Sequence, residues 1–411
     1  MAPSFVIIGA SLAGATAAAT LRQDGFDGEV ILIGAEPEPP YERPALSKEY
    51  LRGAAPFEKA LVRPAGFYDE HRIETLFGAR ATGVEVDERT VVLDGGRRVR
   101  FDKLLIATGA RNRRPRIPGL DLPGVFDLRT VRDADALRAE IAPGRRAVLI
   151  GMGFIGCEIA ASLRQAGVEV VAIDPSPTPL FNALGDQVGR AIAAIHRDHG
   201  VEMVFEDAVA RVDGHGRIAG VSTRGGRRFD CDFAVVGVGV EPVVDFLAGS
   251  GIETGNGVLV DEHCRTNVEG VYAAGDVANH HHPVVGRRMR VEHWQNAMRQ
   301  GAAAARSMLG TGQPYAPAHW FWSDQYDVNL QYAGFHGAYD RIVVRGNPEE
   351  RRFLAFYLSQ GRVDAAVALN RARDLRRVMP LIEARGPVEP AQLEDERVDL
   401  RRMVSAHGTA A

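Results

Sequence analysis

A chain of 411 residues is too long for one hydrophobic core and predicts two or three domains. Its 45% hydrophobic and 25% charged content are those of an ordinary globular protein, and a net charge of −4 excludes a global attraction to nucleic acid. Three cysteines (Cys157, Cys231 and Cys264), none in a C-x-x-C pair, exclude a disulfide framework or cysteine zinc site and fit a reducing cytoplasm.

Met1-Ala2-Pro3-Ser4 leads straight into the strand-like Phe5-Val6-Ile7-Ile8. No charged region followed by a long apolar core stands there, so no signal peptide is expected. No apolar run reaches the roughly 20 residues that span a bilayer. After the first strand comes Gly9-Ala10-Ser11-Leu12-Ala13-Gly14, then an alanine-rich helix to about Arg22. A second strand, Val30-Ile31-Leu32-Ile33, ends near Glu36. Thr90 to Phe101 reads as strands around an Asp94-Gly95-Gly96 turn, followed by the apolar strand Lys103-Leu104-Leu105-Ile106. Arg111 to Gly119, rich in Arg and Pro, reads as a linker.

The opening pattern is repeated 142 residues on. Ala147-Val148-Leu149-Ile150 runs into Gly151-Met152-Gly153-Phe154-Ile155-Gly156, a helix extends to about Gln165, and a strand from Val168 ends at Asp174. Ile218 to Cys231 turns at Gly225-Gly226 and precedes Phe233-Ala234-Val235-Val236. From about Trp320 short strands with aromatic residues give way to helices, and the tail after about Val404 reads as disordered. The predicted class is α/β, with two Rossmann-like dinucleotide-binding domains and a C-terminal α+β domain. The first domain spans 1–112 and 241–319, the second 113–240, and the third 320–411.

A glycine turn between strand and helix lets backbone approach a pyrophosphate, and the helix N-terminus offers it N–H groups and partial positive charge. An acid ending the second strand accepts hydrogen bonds from a ribose diol. Glu36 lies 22 residues beyond Gly14, and Asp174 lies 18 beyond Gly156. One such motif is weak evidence; two, each with strand, helix and acid in register, identify two dinucleotide sites. Ser11 departs from the pattern by replacing the second glycine, and predicts a modest adjustment of the pyrophosphate. Asp174 repels a 2′-phosphate, and Pro175-Ser176-Pro177-Thr178-Pro179 follows with no Arg or Lys before Arg190, which favours NADH over NADPH. Thr266 to Asp276 reads as a strand delivering Asp276 to a glycine-flanked turn, where it can bond a flavin polyol. Taken alone this is equally another strand end; Ile106-Ala107-Thr108-Gly109 and the two nucleotide folds favour the flavin.

With these residues the chain resembles the two-dinucleotide-fold flavoprotein reductases. Within them it is similar to the FAD- and NADH-dependent ferredoxin reductases that serve Rieske oxygenases and bacterial haem monooxygenases, of the putidaredoxin reductase type. The resemblance covers about residues 4–400, and Pro40-Tyr41-Glu42-Arg43-Pro44-Ala45-Leu46-Ser47-Lys48 is its most specific match. It implies an FAD site of Gly9, Ser11, Ala13, Gly14, Glu36, Arg43, Lys48, Thr108, Gly109, Asp276, Glu292, His293, Trp294 and Trp322. Arg43 would lie near the phosphates and ribose, Lys48 near the isoalloxazine, and Trp322 near the exposed flavin edge. Val291-Glu292-His293-Trp294-Gln295-Asn296-Ala297 would open a helix toward the pyrimidine end, and Phe321 to Asp327 would begin the C-terminal domain. The NAD site would be Gly151, Gly153, Phe154, Ile155, Gly156, Glu158, Asp174 and Gly239, with Glu158 pairing with Lys48 as the catalytic couple.

The chemistry agrees with those roles. A helix N-terminus stabilises negative charge on the N1–C2=O end of a reduced flavin. A buried Lys48 requires a partner, which Glu158 supplies. Hydride transfer from nicotinamide C4 to flavin N5 needs no protein acid, only rings held about 3–3.5 Å apart. The resemblance further implies single-electron delivery to a small 2Fe–2S ferredoxin, by a monomer or weak homodimer. Such a partner is usually acidic, and Arg111, Arg113, Arg114, Arg116, Arg371, Arg373, Arg376 and Arg377 are candidate docking residues. In a chain where all but Lys48, Lys59 and Lys103 of its 49 basic residues are arginine, a solvated surface is the competing reading.

No metal site is expected. His280-His281-His282 reads as a solvated loop, because three adjacent side chains cannot all face one ion. Cys157 reads as a small packing residue. Three rival functions share this scaffold. A disulfide or peroxide reductase needs a cysteine near the flavin, where Pro44-Ala45-Leu46-Ser47 has none. A reductase of quinone or monodehydroascorbate stays open. A redox-sensing protein like apoptosis-inducing factor usually carries long insertions that this sequence lacks.

Overall fold

The computed structural model describes residues 2–403, so the tail beyond them, including the predicted disorder after Val404, lies outside the described residues. The chain divides into two compact units. The first comprises residues 2–44, Pro56–Arg111 and Val240–Pro317; the second comprises Ala45–Ala55, Asn112–Gly239 and residues 318–403.

The first unit is built on a five-stranded parallel sheet in the order Val271–Ala273, Lys103–Ile106, Ser4–Ile8, Glu29–Gly34, Ile73–Phe77. Its central strands are continuous apolar runs because both faces are covered. Along Ser4–Ile8 the side chains alternate. Phe5 and Ile7 join a core with the helices Leu12–Gln23 and Trp294–Leu309. Val6 and Ile8 join the opposite core, under the antiparallel strands Ala81–Glu85, Thr90–Leu93 and Arg98–Arg100. Each fully buried aliphatic side chain contributes about 1.5–3 kcal/mol, so a one-residue slip of this strand would be prohibitive. The two helices pack closely: a Cβ on Gly301 would lie 2.3 Å from the Ala13 carbonyl oxygen.

The second unit repeats the architecture. Its parallel sheet runs Val201–Phe205, Glu169–Asp174, Arg146–Ile150, Phe233–Val236, Val125–Phe126. Helix Phe154–Gln165 follows the glycine turn, and an antiparallel three-stranded layer, Val209–Gly214, Ile218–Thr223 and Arg228–Asp230, shares a core with the sheet. The unit also contains a five-stranded antiparallel sheet in the order Trp320–Gln325, Val328–Gly334, Arg362–Leu369, Arg352–Ser359, Arg341–Asn347. Helix Ala372–Ala384 covers it through Leu375, Val378 and Leu381. The predicted α/β class, both nucleotide folds and the C-terminal α+β region are therefore borne out.

The histidine run departs from expectation. Ala278–His282 is a strand, with His280 and His282 buried, and not a solvated loop. Strand alternation turns the outer two histidines inward and leaves His281 half-buried. Arg111–Gly119 is also less irregular than its composition suggests, since Ala110–Asn112 forms a short strand.

Candidate active site

The geometry of the glycine turn in the first unit follows from its backbone contacts. A Cβ on Gly14 would sit 1.9 Å from the Gly9 carbonyl oxygen, and one on Gly9 would sit 2.1 Å from that of Ala107. No larger residue fits either position without moving backbone. Ser11 is the N-cap of the following helix, in extended conformation, and its side chain makes no capping bond. First-turn amides are thereby left for an anion. Thr108 donates from its hydroxyl to the Val243 carbonyl at 2.8 Å, and Gly109 takes φ +67°.

Glu36 stands two residues beyond the end of its strand rather than on it. Its Oε1 accepts from Arg43 at 2.7 Å, and Oε2 accepts a short bond from the Tyr41 hydroxyl. Arg43 stacks over the Tyr41 ring at 5.3 Å. Burial lowers the Arg43 pKa, but Tyr41, Glu36 and Asp276 together outweigh it and the net shift is upward. Asp276 follows the strand Val271–Ala273, in a turn anchored by a 2.9 Å bond from the Gly275 amide to the buried Gln300 side chain. His293 caps the 16-residue helix Trp294–Leu309. Burial pulls its imidazole down to about 4, against the opposing pull of Asp276, so it is neutral at pH 7. Glu292 pairs with Arg290 at 2.5 Å. Burial raises the Glu42 carboxyl pKa, opposed by a hydrogen bond with Trp294. Glu36, Arg43, Asp276 and His293 thus form one electrostatically linked group. Ala13 serves helix packing.

In the second unit a Cβ on Gly156 would lie 2.2 Å from the Gly151 carbonyl oxygen. Gly153, the helix N-cap, would project a Cβ into open space, and it offers no side-chain cap. Asp174 accepts from the Met152 amide at 2.7 Å and from the Ser176 amide at 2.8 Å, tying the strand end to the glycine turn. Each oxygen retains a lone pair for a ribose hydroxyl. Ile155 is 45% exposed at the turn, and Phe154 packs edge-on against Phe321 at 4.9 Å. Gly239 has φ +98° and open space where a Cβ would point. Beside Pro175 a hollow is lined by Glu206, Asp207, Arg224 and Arg227. Two arginines thus approach from the antiparallel layer, where local sequence after Asp174 shows none; Asp207 holds Arg227 at 3.0 Å.

The pair expected between Lys48 and Glu158 forms at 2.7 Å, with both residues buried. Glu158 Oε2 also accepts from the Ser47 hydroxyl at 2.5 Å, and Oε1 accepts from Ser323 at 2.7 Å. Ser47 and Ser323 were not anticipated. Both lay inside recognised runs, but nothing in the sequence says that they share a carboxylate. Trp322 projects from the opposite face of its strand and stacks with Trp320 at 5.5 Å. Cys157 is fully buried, and burial raises its thiol pKa far above the ordinary value, so it stays a neutral packing residue. Arg111 is engaged by Glu241 and Asp245, Arg114 by Asp121 and Asp127, and Arg371 and Arg377 share Asp374.

Residues 3–301 match the family model described as pyridine nucleotide-disulphide oxidoreductase. The chain belongs to this family. A second model, described as reductase C-terminal, matches residues 320–404. Among the relatives, the anthranilate 1,2-dioxygenase system ferredoxin–NAD(+) reductase component of Burkholderia cepacia is 41% identical, covering 97% of this chain and 99% of that protein. Rhodocoxin reductase of Rhodococcus erythropolis is 37% identical, covering 98% and 95%. The covalent putidaredoxin reductase–putidaredoxin complex contains a chain superposing with a TM-score of 0.96 at 32% identity, covering 100% of this chain and 99% of that one. The pyridine nucleotide-disulphide oxidoreductase scaffold accommodates FAD and a nicotinamide dinucleotide here on structural grounds. Both turns present uncapped helix termini, and each has an acid held in place. Among the described residues all three cysteines are free and buried, so a redox-active disulfide is absent.

Proposed function

We propose that this protein is an NADH-dependent ferredoxin reductase that feeds an oxygenase through a small acidic 2Fe–2S ferredoxin. The observation that carries the reading is the buried Lys48–Glu158 pair beside a cysteine-free Pro44-Ala45-Leu46-Ser47 segment. A scaffold with a charged pair and no thiol suits passage of electrons outward rather than thiol exchange. The relatives named as ferredoxin reductases, and the putidaredoxin complex, support the same acceptor.

Bound FAD would supply the exchange between a two-electron donor and one-electron acceptors. The chain's own residues bind, orient and set charge. Gly9, Ser11, Ala13, Gly14, Glu36, Arg43, Thr108, Gly109, Asp276, Glu292, His293 and Trp294 would hold FAD. Gly151, Gly153, Phe154, Ile155, Gly156, Asp174 and Gly239 would hold NADH. The N-terminus of helix Trp294–Leu309, behind a neutral His293, offers fixed positive potential. Lys48, held in place by Glu158, would orient the nicotinamide-facing side. No helix among the described residues is long and apolar enough to cross a membrane, and three reduced buried thiols favour a cytoplasmic setting. Arg111, Arg114, Arg371 and Arg377, four of the eight candidate docking arginines, are engaged by carboxylates, and among the other four we place docking at the exposed Arg116, Arg373 and Arg376.

The test is steady-state turnover of FAD-loaded protein with NADH, comparing 2Fe–2S ferredoxins of the same genome with quinone and ferricyanide. Preferred reduction of one ferredoxin supports the reading. Faster turnover with quinone than with any ferredoxin overturns it, and negligible turnover with every acceptor points to a redox-sensing binding protein.

A further inference from the structure

Glu158 is held by more than the lysine it pairs with. Ser323 and Gln325 lie two residues apart on one strand of the C-terminal sheet, so both project from its buried face, with 1% and 2% exposure. Ser323 donates to Glu158 at 2.7 Å, and Gln325 Nε2 donates to the Ser323 oxygen at 3.2 Å. The Gln325 carbonyl oxygen then faces His196 Nε2 at 3.0 Å. A carbonyl only accepts, so His196 carries its proton on Nε2 and is left with Nδ1 as an acceptor. Tyr326 meets that nitrogen at 3.2 Å and donates to it. His196 is 0% exposed, on helix Phe181–Asp198, and burial holds its pKa at about 4, so it stays in this neutral tautomer. Every donor in the row Tyr326, His196, Gln325, Ser323 points toward the Glu158 carboxylate.

We infer that Ser323, Gln325 and His196 are positioning residues for the lysine of the hydride site, acting through Glu158. The inference rests on the proposed role of Lys48. One carboxylate oxygen serves Lys48 and Ser47, and the other serves Ser323. Three donors fix the plane of the carboxylate, and that fixed carboxylate sets where the Lys48 ammonium stands. Loss of Ser323 strands a buried carboxylate oxygen and releases the carboxylate to rotate. The C-terminal sheet thereby contributes to the nicotinamide step while contributing no group of its own to the reaction.

The chain offers a direct readout, because Lys48, Lys59 and Lys103 are its only lysines. Lys59 is exposed and serves as an internal standard, while Lys48 is 7% exposed. In FAD-loaded protein treated with an amine-acylating reagent and analysed by mass spectrometry, Ser323→Ala is expected to raise acylation of Lys48 relative to Lys59 about fivefold. In stopped-flow experiments it should slow flavin reduction at saturating NADH about tenfold, with half-saturating NADH within about twofold, as loss of one charge-assisted hydrogen bond implies. Ser323→Thr, which keeps the hydroxyl, should restore both measurements. In a Lys48→Met background, Ser323→Ala should slow reduction no further. Unchanged acylation of Lys48 in Ser323→Ala overturns the inference. So does a threonine variant as impaired as alanine with an equal fall in thermal stability, which would assign Ser323 to packing. Wild-type reduction by Lys48→Met would instead remove the hydride-site reading, and the acylation arm would still decide whether Ser323 positions Lys48. If Ser323→Ala does not fold, Gln325→Leu carries the same expectations at smaller amplitude.

Discussion

The two glycine turns solve one problem by different means. In the second unit Asp174 is held by backbone amides of Met152 and Ser176, so its position is set by the fold itself. In the first unit Glu36 is held by the side chains of Arg43 and Tyr41, from a segment outside the strand–turn–helix core. The first turn also carries Ser11 where the second carries Gly153. A backbone-held acid is robust to point substitution. A side-chain-held acid is tunable, since removing one neighbour releases it. We read the first site as adapted to a cofactor that stays, with a latch of its own, and the second as a fixed seat for one that comes and goes.

The largest expected effect tests whether the turns are independent. Gly14→Ala and Gly156→Ala each drive a Cβ within about 2.2 Å of a backbone oxygen. Each should perturb its own turn by roughly 3 kcal/mol, on the order of a 100-fold loss of the local ligand. Gly14→Ala should purify without yellow colour, whereas Gly156→Ala should keep its flavin and lose NADH affinity, as read by absorbance and titration. Loss of flavin from both would show that the sites are one cooperative structure.

Acid sensitivity should instead be shared. His280 in the first unit and His196 in the second are buried, and burial holds each near 4, below the ordinary 6.5. The unfolded chain takes up these protons first. Each contribution is therefore intact above about pH 6.5 and lost as pH falls toward 4, by roughly 3 kcal/mol per histidine. Thermal unfolding between pH 7.5 and 4.5 should show a steep fall, flattened by His280→Gln. A midpoint independent of pH across that window would contradict the burial of both rings.

Smaller effects sharpen the comparison. Arg43→Ala removes one charge-assisted bond to Glu36 and should weaken FAD retention about tenfold, or roughly 1.5 kcal/mol, measured by flavin release in dilute denaturant. The NADH half-saturation should stay near wild type. Ser11→Gly should change FAD affinity by less than about threefold, because Ser11 makes no capping bond to lose. A large gain of affinity would show that the serine side chain displaces the pyrophosphate.

Much of this was legible in the chain. Apolar runs ending in glycine turns announced both parallel sheets, because a strand buried on two faces must be apolar throughout and a turn against a neighbouring carbonyl must be glycine. The Arg43, Lys48 and Glu158 motif positions followed from resemblance, and the structure brings Lys48 and Glu158 together. The histidine run was misread because adjacency in sequence says nothing about which side of a strand is covered. Arg224 and Arg227 were invisible from Asp174 because they reach the hollow from another layer.

The sequence by itself determined the repeated fold, the glycine positions and the acids at the strand ends, since these depend on local periodicity and backbone sterics. Only the tertiary structure decided who holds those acids, and that Ser47 and Ser323 meet at Glu158, with Gln325 and His196 aligned behind Ser323. The reason is physical: a buried carboxylate must find donors wherever the packed chain supplies them, and their separation along the sequence plays no part in the energy of the contact.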